Sequence, residues 1–104
     1  MTQVAFDFDT AIRLRDHGIM QTYLANEDFV RWARGYAIRY ARMNGDVHID
    51  AIRRAAVSEG YAPQSSSAWG AIFHGKQWEK TGEYRQSTYV SNHGHASPVW
   101  RWRG

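Results

Sequence analysis

Ser67-Ala68-Trp69-Gly70-Ala71-Ile72-Phe73, then Gly82-Glu83-Tyr84, then His93-Gly94-His95-Ala96-Ser97-Pro98-Val99-Trp100: these pieces of the last third of the chain decide the fold. The first is a short apolar segment with helical spacing. The other two belong to strand-like runs joined by a glycine-bearing tip, where Gly94 can supply the positive φ of a tight turn. Behind two upstream helical segments, this order predicts a compact helix-helix-helix-hairpin domain of the α+β class.

Working outward, residues 68–78 read as a third helix with Trp69, Ile72 and Phe73 inward and hydroxyl caps available from Ser65, Ser66 and Ser67. Residues 61–64 read as a turn, because Pro63 biases Ala62 away from helix. Residues 51–59 read as a second helix, capped by Asp50, with Ile52, Ala55 and Ala56 inward. Residues 47–49 are a short extended piece. The strongest helix is 27–43, capped by Asn26. Glu27 and Asp28 sit in its first turn, where the helix dipole favours acids. Phe29, Trp32, Ala33, Tyr36, Ala37 and Tyr40 recur at spacings of three and four, an apolar stripe. Arg31, Arg34, Arg39 and Arg42 fall opposite. Upstream, residues 10–24 read as an extra N-terminal helix using Ile12, Ile19, Met20, Tyr23 and Leu24. Downstream, 80–82 reads as a turn, 83–91 as a strand, 92–95 as the tip and 97–103 as the return strand. Trp100 and Trp102 share one face of that strand, and Val99, Arg101 and Arg103 share the other. For Trp78, core and partly exposed positions both stay open. The chain divides into an arm, residues 1–25, and a domain, residues 26–104.

With 104 residues there is room for one core. Five Trp, six Tyr and four Phe argue against disorder. Cysteine is absent, which removes disulfides and thiolate metal sites. The N-terminus lacks the basic-then-apolar pattern of a signal peptide, and no stretch reaches the roughly 20 apolar residues of a membrane span. A cytoplasmic protein without membrane contact is expected. Net charge is +3. It is unevenly spread: residues 1–28 carry −3 and residues 29–104 carry +6. A basic body favours polyanions.

The order helix, short strand, helix, turn, helix, hairpin is that of a winged helix, a helix-turn-helix variant. Residues 26–102 resemble a winged-helix domain common in bacteriophages and prophages. The likeness rests on Phe29-Val30-Arg31-Trp32-Ala33, on Ala68-Trp69-Gly70-Ala71-Ile72, and on Gly82-Glu83-Tyr84 with Ser91-Asn92-His93-Gly94-His95 and Pro98-Val99-Trp100. It implies a three-helix core with a two-stranded β-hairpin wing, a phage or prophage origin, and the cytoplasm of a bacterial host. It also implies non-enzymatic contact with duplex DNA through the third helix and the wing. In such a fold the third helix enters the major groove. That places Ser65, Ser66 and Ser67 at the entry and His74, Lys76 and Gln77 further along. Lys80, Arg85, Arg101 and Arg103, with His93 and His95 at the tip, complete the candidate contact set. The reading requires these cations to converge on one exposed surface. Third helices of this kind are often richer in arginine; here only His74 and Lys76 stand there. The alternative is therefore a protein-interaction module that docks on a host or phage protein, with a homodimer through Ile19, Met20, Tyr23 and Leu24 also open.

Enzyme chemistry finds no support in the pattern: no nucleophile stands beside a His/acid pair and no glycine-rich phosphate loop is present. Asp46, His48 and Asp50 alternate along an extended piece, but no spacing matches a metal signature. No cofactor is expected.

Overall fold

The computed structural model describes residues 22–88 and 95–104. In order they form β1 (Thr22–Leu24), α1 (Asn26–Asn44), α2 (Ile49–Glu59), β2 (Tyr61–Pro63), a 3-10 helix (Ser66–Ala71), β3 (Trp78–Gln86) and β4 (Ala96–Trp102). The class is α+β, with helices packed beside an antiparallel β3–β4 ribbon.

α1 carries the core. Phe29, Ala33, Ala37 and Ala41, one helical turn apart, are its buried residues. The larger rings of the sequence stripe, Trp32, Tyr36 and Tyr40, are only half-buried. Small alanines let the neighbouring elements approach closely, and the rings are displaced to the flank. The expected Asn26 cap is not made. Ala25 occupies the cap position, and the Asn26 side chain instead accepts the Ser65 N–H at 2.9 Å. At the other end Gly45 donates its N–H to the Ala41 carbonyl at 2.7 Å.

α2 begins two residues earlier than the sequence suggests. His48, not Asp50, is its cap: His48 Nδ1 accepts the Asp50 N–H at 3.2 Å. Asp50 is thereby freed for a tertiary role described below. Ile49, Ala51, Ile52 and Ala56 are buried, and Ala55 is half-exposed.

Three readings are corrected around these helices. Tyr23 and Leu24 lie in β1, not at the end of a helix; β1 pairs in parallel with β2, Tyr23 opposite Ala62 and Leu24 opposite Pro63. Residues 10–21 of the expected N-terminal helix lie outside the described residues. Residues 61–63 are a strand, not a turn. Most consequential, the third helix does not run from 68 to 78. It is a single 3-10 segment ending at Ala71, and Trp78 already opens β3. Gly75, at φ +114°, turns the chain where the apolar spacing of Trp69, Ile72 and Phe73 invites a longer helix.

The ribbon begins five residues earlier than expected on its first side, at Trp78. The proposed 80–82 turn lies inside β3, where Gly82, at φ +94°, sits in a register shift between Lys80 and Tyr84. The glycine signal is real but marks a bulge rather than a reversal. Trp78 pairs with Trp102, Lys80 with Trp100, Tyr84 with Pro98 and Gln86 with Ala96. The Ser87 N–H continues the pairing to the His95 carbonyl at 3.1 Å. The rest of the tip, including His93 and Gly94, lies outside the described residues.

One further pairing ties the ribbon to the helices. Val47, between α1 and α2, exchanges both backbone hydrogen bonds with Trp100 at 2.9 Å, forming an antiparallel bridge on the free side of β4. Ring contacts close the remainder. Phe29 meets the edge of Trp69 with centroids 4.9 Å apart, and Arg53 lies 4.4 Å over the Trp69 ring. Phe73 stacks on Trp100 at 5.1 Å and meets Trp78 edge-on at 5.0 Å. Trp78, whose place the sequence leaves open, is buried between Phe73 and Trp102.

Candidate nucleic-acid interface

Ser65 caps the 3-10 helix. Its Oγ accepts the Ser67 N–H at 3.3 Å and lies 3.0 Å from the Ser67 hydroxyl. Its own N–H is spent on Asn26. Ser65, Ser66 and Ser67 are all exposed, so the cap and an outward hydroxyl face coexist. His74, Lys76 and Gln77 are exposed too, but in the link between the 3-10 helix and β3 rather than on a helix. The Gln77 carbonyl accepts the Arg103 N–H at 2.8 Å, which fixes this link to the end of the ribbon.

No acid occurs anywhere from residue 60 to residue 78. The segment that contains the 3-10 helix and its exit is thus free of negative side chains. A cation from elsewhere joins it. Arg34 of α1 reaches the Gly75 turn, its Nη2 standing 3.5 Å from where a Cβ on Gly75 would be. Arg34, Glu27 and Arg31, the last paired with Asp28 at 3.0 Å, also border a groove of about 710 Å³ between α1 and the 3-10 helix, floored by Val30, Ile38, Ala68 and Ala71. Sequence reasoning placed Arg34 on a solvent face of α1 and missed this meeting. No local pattern signals it, because it follows from how α1 crosses the 3-10 helix.

The ribbon is different. Arg101 and Arg103 both turn to Glu79, at 3.4 and 3.6 Å. Arg85 binds Glu83 at 2.7 Å and approaches Asp46 at 3.8 Å. The Arg85 hydrogen bond holds the Glu83 carboxyl below its usual range, and Glu83 in turn raises the Arg85 guanidinium. Lys80 pairs across to Trp100 and rests over its ring at 5.7 Å. Arg101 pairs with Glu79, one residue away, so Lys80 and Arg101 point to opposite faces of the ribbon. The structure therefore splits the expected ribbon cations between two faces and sets acids among those of one face. His95 is exposed before β4. His93 lies outside the described residues.

Asp46, His48 and Asp50 form a structural joint. His48, already capping α2 through Nδ1, reaches the Arg85 carbonyl through Nε2 at 3.0 Å. Asp50 accepts the Ser87 hydroxyl at 2.8 Å and the Thr88 N–H at 3.0 Å. Burial alone would raise the Asp50 carboxyl. The hydrogen bonds from Thr88 and Ser87, with the nearby positive charge of Arg53, outweigh it and hold the carboxyl below its ordinary value. His48 and Asp50 thus already spend ring nitrogens and carboxylate oxygens on protein partners. Among the described residues no group of three His, Cys, Asp or Glu side chains is arranged to hold a metal ion. No described helix is long and apolar enough to cross a membrane. Compared with known proteins, the chain matches no family model, no curated protein and no solved structure.

Proposed function

We propose that this chain is a small winged-helix protein, of the phage or prophage type its sequence resembles, that binds duplex DNA without enzyme chemistry. The fold reading is supported by the order of elements and by the Val47–Trp100 bridge, which ties the connector between the first two helices to the free side of the β3–β4 ribbon. The observation that carries the function is the acid-free segment 60–78, where exposed Ser65, Ser66, Ser67, His74, Lys76 and Gln77 are joined by Arg34. Exposed hydroxyls beside cations that form no ion pair among the described residues suit phosphate oxygens. A 3-10 helix of six residues offers little length for reading bases, so the expected contact is mostly with the backbone and weakly selective for sequence.

Titration of labelled duplex at two or more salt concentrations tests this. Log affinity should fall by about 0.9 per phosphate neutralised on a log-salt scale. Lys76→Glu and Arg34→Glu should each weaken binding and flatten that slope. Absence of binding at low salt ends the proposal.

The docking reading has one observation in its favour. The ribbon arginines are already engaged by Glu79, Glu83 and Asp46. On this reading the domain is a scaffold for a protein partner, and duplex is bound no better by the wild type than by Lys76→Glu.

A further inference from the structure

α1 has a second flank, turned away from the 3-10 helix and towards α2. There Trp32, Tyr36 and Tyr40 stand in a row, half-exposed. Tyr61 meets Trp32 edge-on with centroids 5.3 Å apart. Trp32 stacks on Tyr36 at 6.0 Å, and Tyr36 leans on Tyr40 at 6.1 Å. Rings packed on one another are fixed before any partner arrives, so little side-chain freedom is lost on binding. They pack against the edge of the core, since α1 turns alanines inward, and each keeps part of its ring exposed.

Beside the row lies a groove of about 500 Å³ whose walls include Trp32, Tyr36, Ala55 and Ser58. Arg39 from α1 and Arg54 from α2 border it, both exposed. Among the described residues neither arginine forms an ion pair. Glu59 is the one acid among the described residues that line it. Trp, Tyr and Arg are the residues in which protein interfaces concentrate their binding energy. A solvated cationic face for solubility needs arginines but not the ring row between them.

We infer that this groove docks an acidic segment of a partner protein. An apolar or aromatic side chain of that segment sits against Trp32, Tyr36 and Ala55, and its carboxylates pair with Arg39 and Arg54. Charge complementarity selects the partner. The surface is distinct from the 60–78 strip and does not depend on DNA being bound there.

The test is selection of a random short-peptide library on the immobilised full chain, followed by anisotropy titration of the enriched peptides. Acidic peptides bearing an aromatic or aliphatic residue are expected. The double variant Arg39→Glu/Arg54→Glu should bind them about thirtyfold more weakly, while Lys76→Glu binds them as the wild type does. Both changes are on exposed side chains, and circular dichroism checks that each variant is folded. Peptides without acidic bias, or equal affinity for the double variant, overturn the inference. So does oligothymidine binding that the double variant abolishes while selected peptides fail to bind, which assigns the groove to a nucleic-acid strand. Loss of duplex binding in Lys76→Glu with peptide binding intact speaks only to the DNA proposal.

Discussion

Replacing Asp50 by Ala should be among the most destabilising single changes that leave the apolar core intact. Asp50 is 6% exposed, and its two oxygens hold the Ser87 hydroxyl and the Thr88 N–H where the chain leaves β3. Ser87 is 5% exposed, so the bond it gives the carboxylate is made away from water. Losing a buried hydrogen bond to a charged acceptor costs about 1.5–3 kcal/mol. Thr88 is exposed and recovers part of its loss from solvent. A carboxylate in the first turn of α2 adds about 0.3–1 kcal/mol through the helix dipole. The expected total is about 3 kcal/mol, or roughly 10–20 °C in Tm for a domain of this size. Asp50→Asn, which keeps one acceptor, should lose about half. The carboxyl titrates below its ordinary value in the folded state. Its contribution is therefore present above about pH 4 and is lost as pH falls through the lower folded value. In Asp50→Asn that loss has nothing left to remove, so its stability should change less over this acid interval. Urea unfolding of the three proteins between neutral and acid pH measures both effects. A cost for Asp50→Ala below 1 kcal/mol, or an acid limb that overlays for wild type and Asn variant, refutes the joint.

Glu79→Gln should release Arg101 and Arg103 from their shared acid; stability should change by less than about 1 kcal/mol, while duplex affinity rises at low salt, and an unchanged or lower affinity would remove the ribbon from the DNA surface. Trp100→Ala removes the ring stacked between Phe73 and Lys80; because Trp100 is half-buried, a cost of about 2–3 kcal/mol is expected by chemical denaturation. Gly75→Ala must adopt φ +114°, which should cost about 1–3 kcal/mol in the same assay; no loss would mean that the turn relaxes and the 3-10 helix can lengthen.

What the sequence disclosed followed the strength of local signals. α1 was legible because its stripe of period 3.6 is long and its first turn acidic, and Gly45 marked its end. Its inward face was legible only in part: apolar spacing admits Trp32, Tyr36 and Tyr40 as readily as the alanines, and only packing against α2 and the ribbon decides that the small residues go inside. Residues 68–78 misled because Trp69, Ile72 and Phe73 are spaced as a helix would space them. The same three residues also fit a 3-10 turn followed by a bend, and Gly75 tips the balance. The bulge at Gly82 and a true reversal carry the same glycine signal. Tyr23 and Leu24 pair with residues 61–63, far along the chain, and no local pattern reports such a partner. Of the serines of the candidate site, Ser65 caps the 3-10 helix, while Ser66 and Ser67 lie within its first turn. Arg34 was not found, since its approach to Gly75 exists only once α1 lies across the 3-10 helix.

These differences share a physical cause that bears on function. The third helix is short, so it cannot carry the cations that a reading helix needs, and the ribbon holds its arginines against its own acids. As with Lys76 and Lys80, Arg34, Arg39 and Arg54 form no ion pair among the described residues, and these three arginines project from α1 and α2. Successive residues of α1 advance by about 100°. Arg34 and Ile38 consequently face the 3-10 helix while Trp32, Tyr36 and Arg39 face α2. One helix thereby furnishes two surfaces of different chemistry: an acid-free strip edged by Arg34, and a ring-lined groove edged by Arg39 and Arg54. The ribbon, anchored by Val47, His48 and Asp50, serves chiefly to hold α1 and α2 in place. On this argument, charge reversal at Arg34 and at Arg39 should have separable effects although the two lie on the same helix, and a single shared defect would collapse the two surfaces into one.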